Sequence, residues 1–378
     1  MSAAALADDA SCLRDLRAAA VTAGVSGGDF DRLTQGLTFD PSVLRLYSNQ
    51  PEVQRTPADY VRNLVDDKRL ADGRKALSDN KATFADVEKR FGIPAAVLAA
   101  IWGIETDFGR AMGRRPTLQA LASLVCGGAR TAYFRGEFIL AVKILASGKA
   151  RAEDMVGSWA GAFGHMQFMP SFFVDDAVDV DGDGFIDLVH SLPDAFGSAA
   201  RALLNNGWVV GLPWGYEVIL PAGFDASGAN RRVKRSFDDW RRLGVKSVDG
   251  TPLPATGTAG MIIPAGFRGP VFLTTANFDA IWQYNMSESY ALAVAHLSDR
   301  LAGVPGFKTP WPLPSSILSR AEIVEIQEWL SRRGYDTGPA DGVAGEKTRA
   351  AIGAFEKTLG KRTTGEATKA ILEALRVP

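Results

Sequence analysis

Residues 303–316 read GVPGFKTPWPLPSS, and no other stretch constrains the architecture of the chain as strongly. Its four prolines rule out a regular helix, because each removes a backbone donor and fixes φ, and what remains is a stiff, extended connector. A boundary there divides the 378 residues into a large body, residues 1–302, and a tail, residues 317–378. The body is long enough for a sizeable core, and a tail of about 60 residues is close to the smallest size that folds alone. In the tail, Ile323, Ile326 and Leu330 form one helical stripe, Ile352, Phe355 and Leu359 a second, and Ile371, Leu372 and Leu375 a third. Three short helices are expected.

The body changes texture along its length. From residue 11 to about residue 148, apolar residues recur at spacings of three and four, with breaks at Gly24, Pro41, Pro57 and Gly92, which is a helical pattern. Between residues 212 and 275 the β-prone pieces YEVIL, GMIIP and PVFLT alternate with Gly and Pro, as in a small sheet. Helical spacing returns in NFDAIWQYN and over residues 289–301, so the β-rich piece reads as an insertion. The fold class is α+β, mainly α.

Composition excludes several functions. With 42 basic and 43 acidic residues the net charge is -1, which gives no electrostatic basis for a nucleic-acid partner. The compact basic run RRVKR at residues 231–235 reads as a solvated face. No apolar run approaches the roughly 20 residues of a transmembrane segment. The opening MSAAALADDASC lacks the positive flank and apolar core of a secretory signal. The three histidines, His165, His190 and His296, are too scattered for a zinc site or a Ser-His-Asp triad. Cys12 and Cys126 lie far apart, which leaves a long-range disulfide or two buried thiols as the readings. GVAGEKT in the tail is too short between its glycines for a phosphate loop.

Three segments carry candidate chemistry. After Pro94, Leu98, Ile101, Trp102 and Glu105 fall at i, i+3, i+4 and i+7, so a carboxyl group shares an apolar helix face with a tryptophan. Such surroundings raise a carboxyl pKa and keep its proton, which suits a proton donor; a helix end reaching water is the competing reading. Residues 157–173, GSWAGAFGHMQFMPSFF, hold too many glycines for a plain helix, and Ser158 and Gln167 offer hydrogen bonds where backbone can approach a ligand closely. In DVDGDGFID, Asp179, Asp181 and Asp183 alternate, Gly184 holds the sixth position, Phe185 offers its carbonyl and Asp187 follows, as in an EF-hand-like Ca²⁺ loop. His190 stands at the twelfth position, where a bidentate Glu is usual.

Together with DAFGSAARALLNNGW and YNMSESYALAVAHL further on, these segments resemble, in order, the lytic murein transglycosylases of the membrane-bound B type. The resemblance implies a lysozyme-like catalytic domain with a helical N-terminal part and a small β-rich insertion. It implies that Glu105 is the single catalytic acid, that Ser158, Gln167, Tyr284, Asn285 and Tyr290 bind the sugar, and that Asp194 completes the metal loop. The tail resembles the peptidoglycan-binding type 1 domain through Gln327, Gly334, Tyr335, Asp341, Gly342, Gly345, Thr348 and Phe355. The enzyme implied cuts the glycan strands of peptidoglycan without a cofactor for the chemistry, with Ca²⁺ as a structural ion. It is expected to be a monomer in the periplasm or cell envelope, exported by a signal peptide not present in this chain. Two alternatives are a muramidase that hydrolyses the same bond and a catalytically silent wall-binding scaffold.

Overall fold

The structure, a computed structural model, describes residues 3–48, 56–226, 229–312, 318–360 and 363–377. It falls into two compact units: Met1–Val53, Leu64–Asn206 and Leu297–Val304 form one, and Gln54–Asn63, Gly207–His296 and Pro305–Pro378 the other.

The first unit is mainly helical, and its helices begin and end where local chemistry requires. Ser26, Asp66 and Ser191 each accept a backbone N–H from the first turn of the helix that follows. Gly92, at φ 70°, closes Lys81–Phe91 in the left-handed region. The helix Ala95–Thr106 starts directly after Pro94, and every residue from Val97 to Gly103 is buried. Phe196, from Leu192–Asn205, ties the centre together: its ring stacks on Phe84 at 4.4 Å and meets the edge of Trp102 at 5.0 Å. A disulfide joins Cys12 to Cys126 across 114 residues, with the Cα atoms 5.7 Å apart. It connects Ala3–Thr22 to Thr117–Cys126, and a loop of that length corresponds to about 4 to 5 kcal/mol in the chain-entropy account. A two-stranded ribbon, Arg115–Pro116 against Val156–Gly157, completes this unit.

The second unit contains a five-stranded antiparallel sheet. Its spatial order is Arg235–Ser236, Thr258–Ile262, Val271–Thr274, Gly215–Ile219 and Lys246–Ser247. The strands YEVIL, GMIIP and PVFLT thus form its centre, over a core that includes Phe237, Trp240, Met261 and Leu273. The basic run keeps Arg232 and Arg235 on the solvated face expected of it, but two of its charges turn inward. Arg231 is only 7% exposed, bonds Asp279 at 3.0 Å and lies 3.6 Å over the Trp282 ring, while Lys234 reaches Asp279 at 2.7 Å. Distant residues neutralise and cover these charges, which a local charge count does not register.

In the tail, Arg320–Arg332, Glu346–Thr358 and Lys369–Arg376 pack around Ile326, Leu330, Ile352, Phe355, Ile371, Leu372 and Leu375. Leu359 corrects the second stripe: it follows the end of its helix and is exposed, because the helix stops one residue earlier. The connector is pinned at its start. Glu217 accepts the backbone N–H groups of Lys308 and Thr309 at 2.8 and 2.7 Å, and Phe307 lies against Phe272 and His296. Its last part, residues 313–316, lies outside the described residues.

Candidate active site

Glu105 occupies the last turn of Ala95–Thr106 and is half-buried. The chain then turns sharply, because Asp107 and Phe108 both take left-handed conformations, at φ 51° and 59°. Two such residues in succession, neither of them glycine, mark a turn imposed by its surroundings. The Phe108 ring folds back against the helix, so that a Cβ on Gly103 would come within 2.6 Å of it. Thr106 closes the turn: its hydroxyl donates to the His165 carbonyl at 2.8 Å and accepts the Gly109 N–H at 3.1 Å. Asp107, the carboxylate nearest to Glu105 in sequence, bonds Arg110 at 2.9 Å, and Arg110 also reaches Asp72 at 2.5 Å. The bond to Arg110 holds the Asp107 carboxyl below its ordinary range.

The glycine-rich segment forms a tight hairpin beside this turn. Phe163 and Phe168 exchange both backbone hydrogen bonds, at 3.0 and 2.9 Å. Gly113 approaches the other strand so closely that a Cβ there would lie 2.0 Å from the Gly157 carbonyl oxygen, so only glycine fits. Ser158 follows Gly157; its backbone N–H donates to Ala162 at 2.8 Å and its hydroxyl accepts the Ala162 N–H at 3.2 Å. Gln167, at φ 50°, donates both amide protons to main-chain carbonyls, Met112 at 3.1 Å and Gly164 at 3.0 Å. It therefore staples the loop after Glu105 to the hairpin, and its carbonyl end is what remains for a ligand. His165 accepts the Trp102 indole N–H on Nδ1 at 3.1 Å. Burial pushes its imidazole below the ordinary value, and the nearby His190 adds to the shift.

The other expected sugar-binding residues belong to the second unit. Asn285 is exposed at the end of Ala276–Asn285, just before Met286 at φ 51°. Tyr284 is half-buried, its ring parallel to that of Tyr290 with centroids 6.3 Å apart. Tyr290 is only 1% exposed and packs inside the unit against Tyr284.

In the acidic loop, Asp179, Asp181 and Asp194 present carboxylate oxygens within 4.8 Å of one another, a donor set suited to a hard divalent cation. Asp194 is buried and accepts the N–H groups of Val180 at 2.7 Å and Asp187 at 2.9 Å. Burial pushes its carboxyl up, against the pull of those bonds. Asp183 accepts the N–H of Phe185, and Asp187 those of Val189 and His190, so both also shape the loop. Phe185 itself is exposed. His190 turns to Asp154 at 3.0 Å.

Sequence reasoning set His165 aside as a scattered histidine, gave Thr106 no part, and read Trp102 only as an apolar neighbour of Glu105 on one helix face. Their nearness to Glu105 and to the glycine-rich motif was the available signal. The first unit is thus a mainly helical body in which a buried helix ends at an acid beside a short β-ribbon, and its structural neighbours are lytic transglycosylases of lysozyme-like fold.

Comparison with known proteins is specific. The Transglycosylase SLT domain family matches residues 8–299, and a peptidoglycan binding domain family matches residues 319–375. Membrane-bound lytic murein transglycosylase B of Escherichia coli K12 is 30% identical over 281 residues, 71% of this chain and 76% of that protein. The crystal structure of SltB3 from Pseudomonas aeruginosa with NAG-anhNAM-pentapeptide superposes with a TM-score of 0.91 at 38% identity, covering 98% of this chain and 99% of that one. Escherichia coli Slt35 in complex with calcium gives 0.67 at 27% identity, over 77% and 92%. The chain belongs to the Transglycosylase SLT domain family and is a peptidoglycan lytic transglycosylase.

Proposed function

We propose that the chain cleaves the β-1,4 bond between N-acetylmuramic acid and N-acetylglucosamine with Glu105 as the one residue that moves protons. The observation that carries this reading is the position of Glu105 at the end of a buried helix, with the neighbouring Asp107 engaged by Arg110. The negative end of a helix dipole favours an acid that keeps its proton. Glu105 gives that proton to the glycosidic oxygen, which leaves as the free hydroxyl of N-acetylglucosamine. The muramoyl 2-acetamido oxygen holds the positive charge developing at C1. Glu105, now a carboxylate, takes the proton of the C6 hydroxyl as O6 closes on C1 and the acetamido oxygen departs. The product is a 1,6-anhydromuramoyl end, and no water enters.

Ser158 donates its hydroxyl proton to the substrate, Gln167 accepts through its carbonyl, and Tyr284 and Asn285 contact sugar, with Tyr290 behind Tyr284. The tail, residues 317–378, holds the wall while the body, residues 1–302, cuts it. The loop of Asp179, Asp181, Asp183, Phe185, Asp187 and Asp194 binds Ca²⁺, which stabilises the fold and takes no part in the proton transfers. The protein acts as a monomer in the periplasm or envelope, where peptidoglycan lies. Digests of purified sacculi should yield anhydro ends by mass spectrometry. A reducing end on every product, carrying ¹⁸O from labelled water, would establish hydrolysis and overturn the reading.

A further inference from the structure

His165 meets the glutamate helix at two points and the turn that follows it at a third. Its Nδ1 accepts the Trp102 indole N–H, its main-chain carbonyl accepts the Thr106 hydroxyl, and its Cε1 fills the space over Gly109, where a Cβ would come within 2.7 Å. These contacts bracket Glu105, since Trp102 lies one turn before it, Thr106 directly after it and Gly109 just beyond the left-handed turn. The two rings stand nearly perpendicular, at 81°, with centroids 5.6 Å apart. His165 is itself anchored by its N–H to the Leu188 carbonyl at 3.0 Å. Trp102 is only 5% exposed, so its N–H has little access to water if the imidazole acceptor is lost.

We propose that the His165 imidazole is a positioning residue for Glu105: its Nδ1 lone pair fixes Trp102, and with it the rotation of the turn that aims the carboxyl at the glycosidic oxygen. The proposal rests on Glu105 being the acid. A shift of about 1 Å in a reacting group lowers turnover by on the order of a hundredfold, so the effect falls on kcat. The contact made by the His165 carbonyl survives any side-chain replacement, which keeps the local fold in place.

The test is steady-state kinetics on solubilised murein glycan. His165→Phe keeps a ring but no acceptor, and should lower kcat by about 10- to 100-fold with KM nearly unchanged. His165→Asn places an amide oxygen near the Nδ1 position and should recover most of the loss. Trp102→Phe removes the donor, and combining it with His165→Phe should add little to either single change. Equal losses in the Phe and Asn variants, or a rise in KM alone, would overturn the proposal. So would an unchanged kcat in His165→Phe. Full activity in Glu105→Gln would instead remove the acid assignment beneath it, a separate result read from a separate variant.

Discussion

Gln167 and Gln327 are the same side chain in two signature motifs, and the structure employs them in different ways. Gln327 is 1% exposed; its amide nitrogen faces Asp341, the Val343 carbonyl and Thr348, each at 3.1 Å, and its oxygen accepts the Gly342 N–H at 2.8 Å. All its bonding capacity is directed into the tail. Gln167 is half-buried, holds a left-handed backbone and uses only its amide protons, with no bond to its carbonyl oxygen among the described residues. In the tail, then, the motif builds a loop. In the first unit it builds a loop and leaves a polar atom over, at the expense of backbone strain at Asp107, Phe108 and Gln167.

The sharpest way to break this contrast is Glu105→Gln. Turnover should fall by about a thousandfold, the scale of a lost general acid and base, while the melting temperature and retention on sacculi stay as they were. Loss of wall retention in that variant would show that the two regions do not divide the work. Next in size is Gln327→Leu, which leaves the Gly342 N–H and the Thr348 hydroxyl short of a buried partner. A destabilisation of about 2 to 3 kcal/mol is expected, enough to melt much of a module this small. Pulldown on sacculi should weaken, while turnover of soluble glycan holds. A Gln327→Leu variant that retains the wall fully would move Gln327 out of its structural role.

What could be read from the sequence separates along similar lines. Helical stripes such as Ile326 with Leu330, and the strands at YEVIL and PVFLT, follow from periodicity, which is local. The left-handed pair at Asp107 and Phe108 does not, since it depends on a ring that folds back on Gly103. Arg231 was hidden for a related reason, because Asp279 and Trp282 neutralise and cover it from about fifty residues away. The burial of Tyr290 was not legible either, because it depends on the packing of the whole unit. Glu105 and Ser158 stand out as candidates in the sequence because glycines and an unexpected acid disturb an otherwise regular pattern.

Ser158 sharpens the contrast at smaller scale. Its hydroxyl accepts the Ala162 N–H, so the atom serves the hairpin while its proton stays available. Ser158→Ala should cost about tenfold in kcat/KM and about 1 kcal/mol in stability. A loss of stability with unaltered kinetics would make Ser158 a counterpart of Gln327 rather than of Glu105.

The smallest effect is expected at the acidic loop, which lies between the two extremes. Asp194 resembles Gln327, being buried and bonded to the N–H groups of Val180 and Asp187. Asp179 and Asp181 are more open, though each also accepts backbone N–H groups within the loop. The backbone thus already answers much of the carboxylate charge, and His190 adds no ligand at the twelfth position because it turns to Asp154. A bound Ca²⁺ then adds to a loop that is largely formed, and the gain follows from the ratio of free ion to its dissociation constant. At ten times that constant it is about 1.4 kcal/mol, or a few degrees in a melt with and without chelator. Asp181→Asn should reduce that shift while leaving turnover at low temperature unchanged. A chelator that abolishes turnover on a folded enzyme would place the ion in the chemistry, and the separation between inward and outward polar groups would then have to be redrawn at this loop.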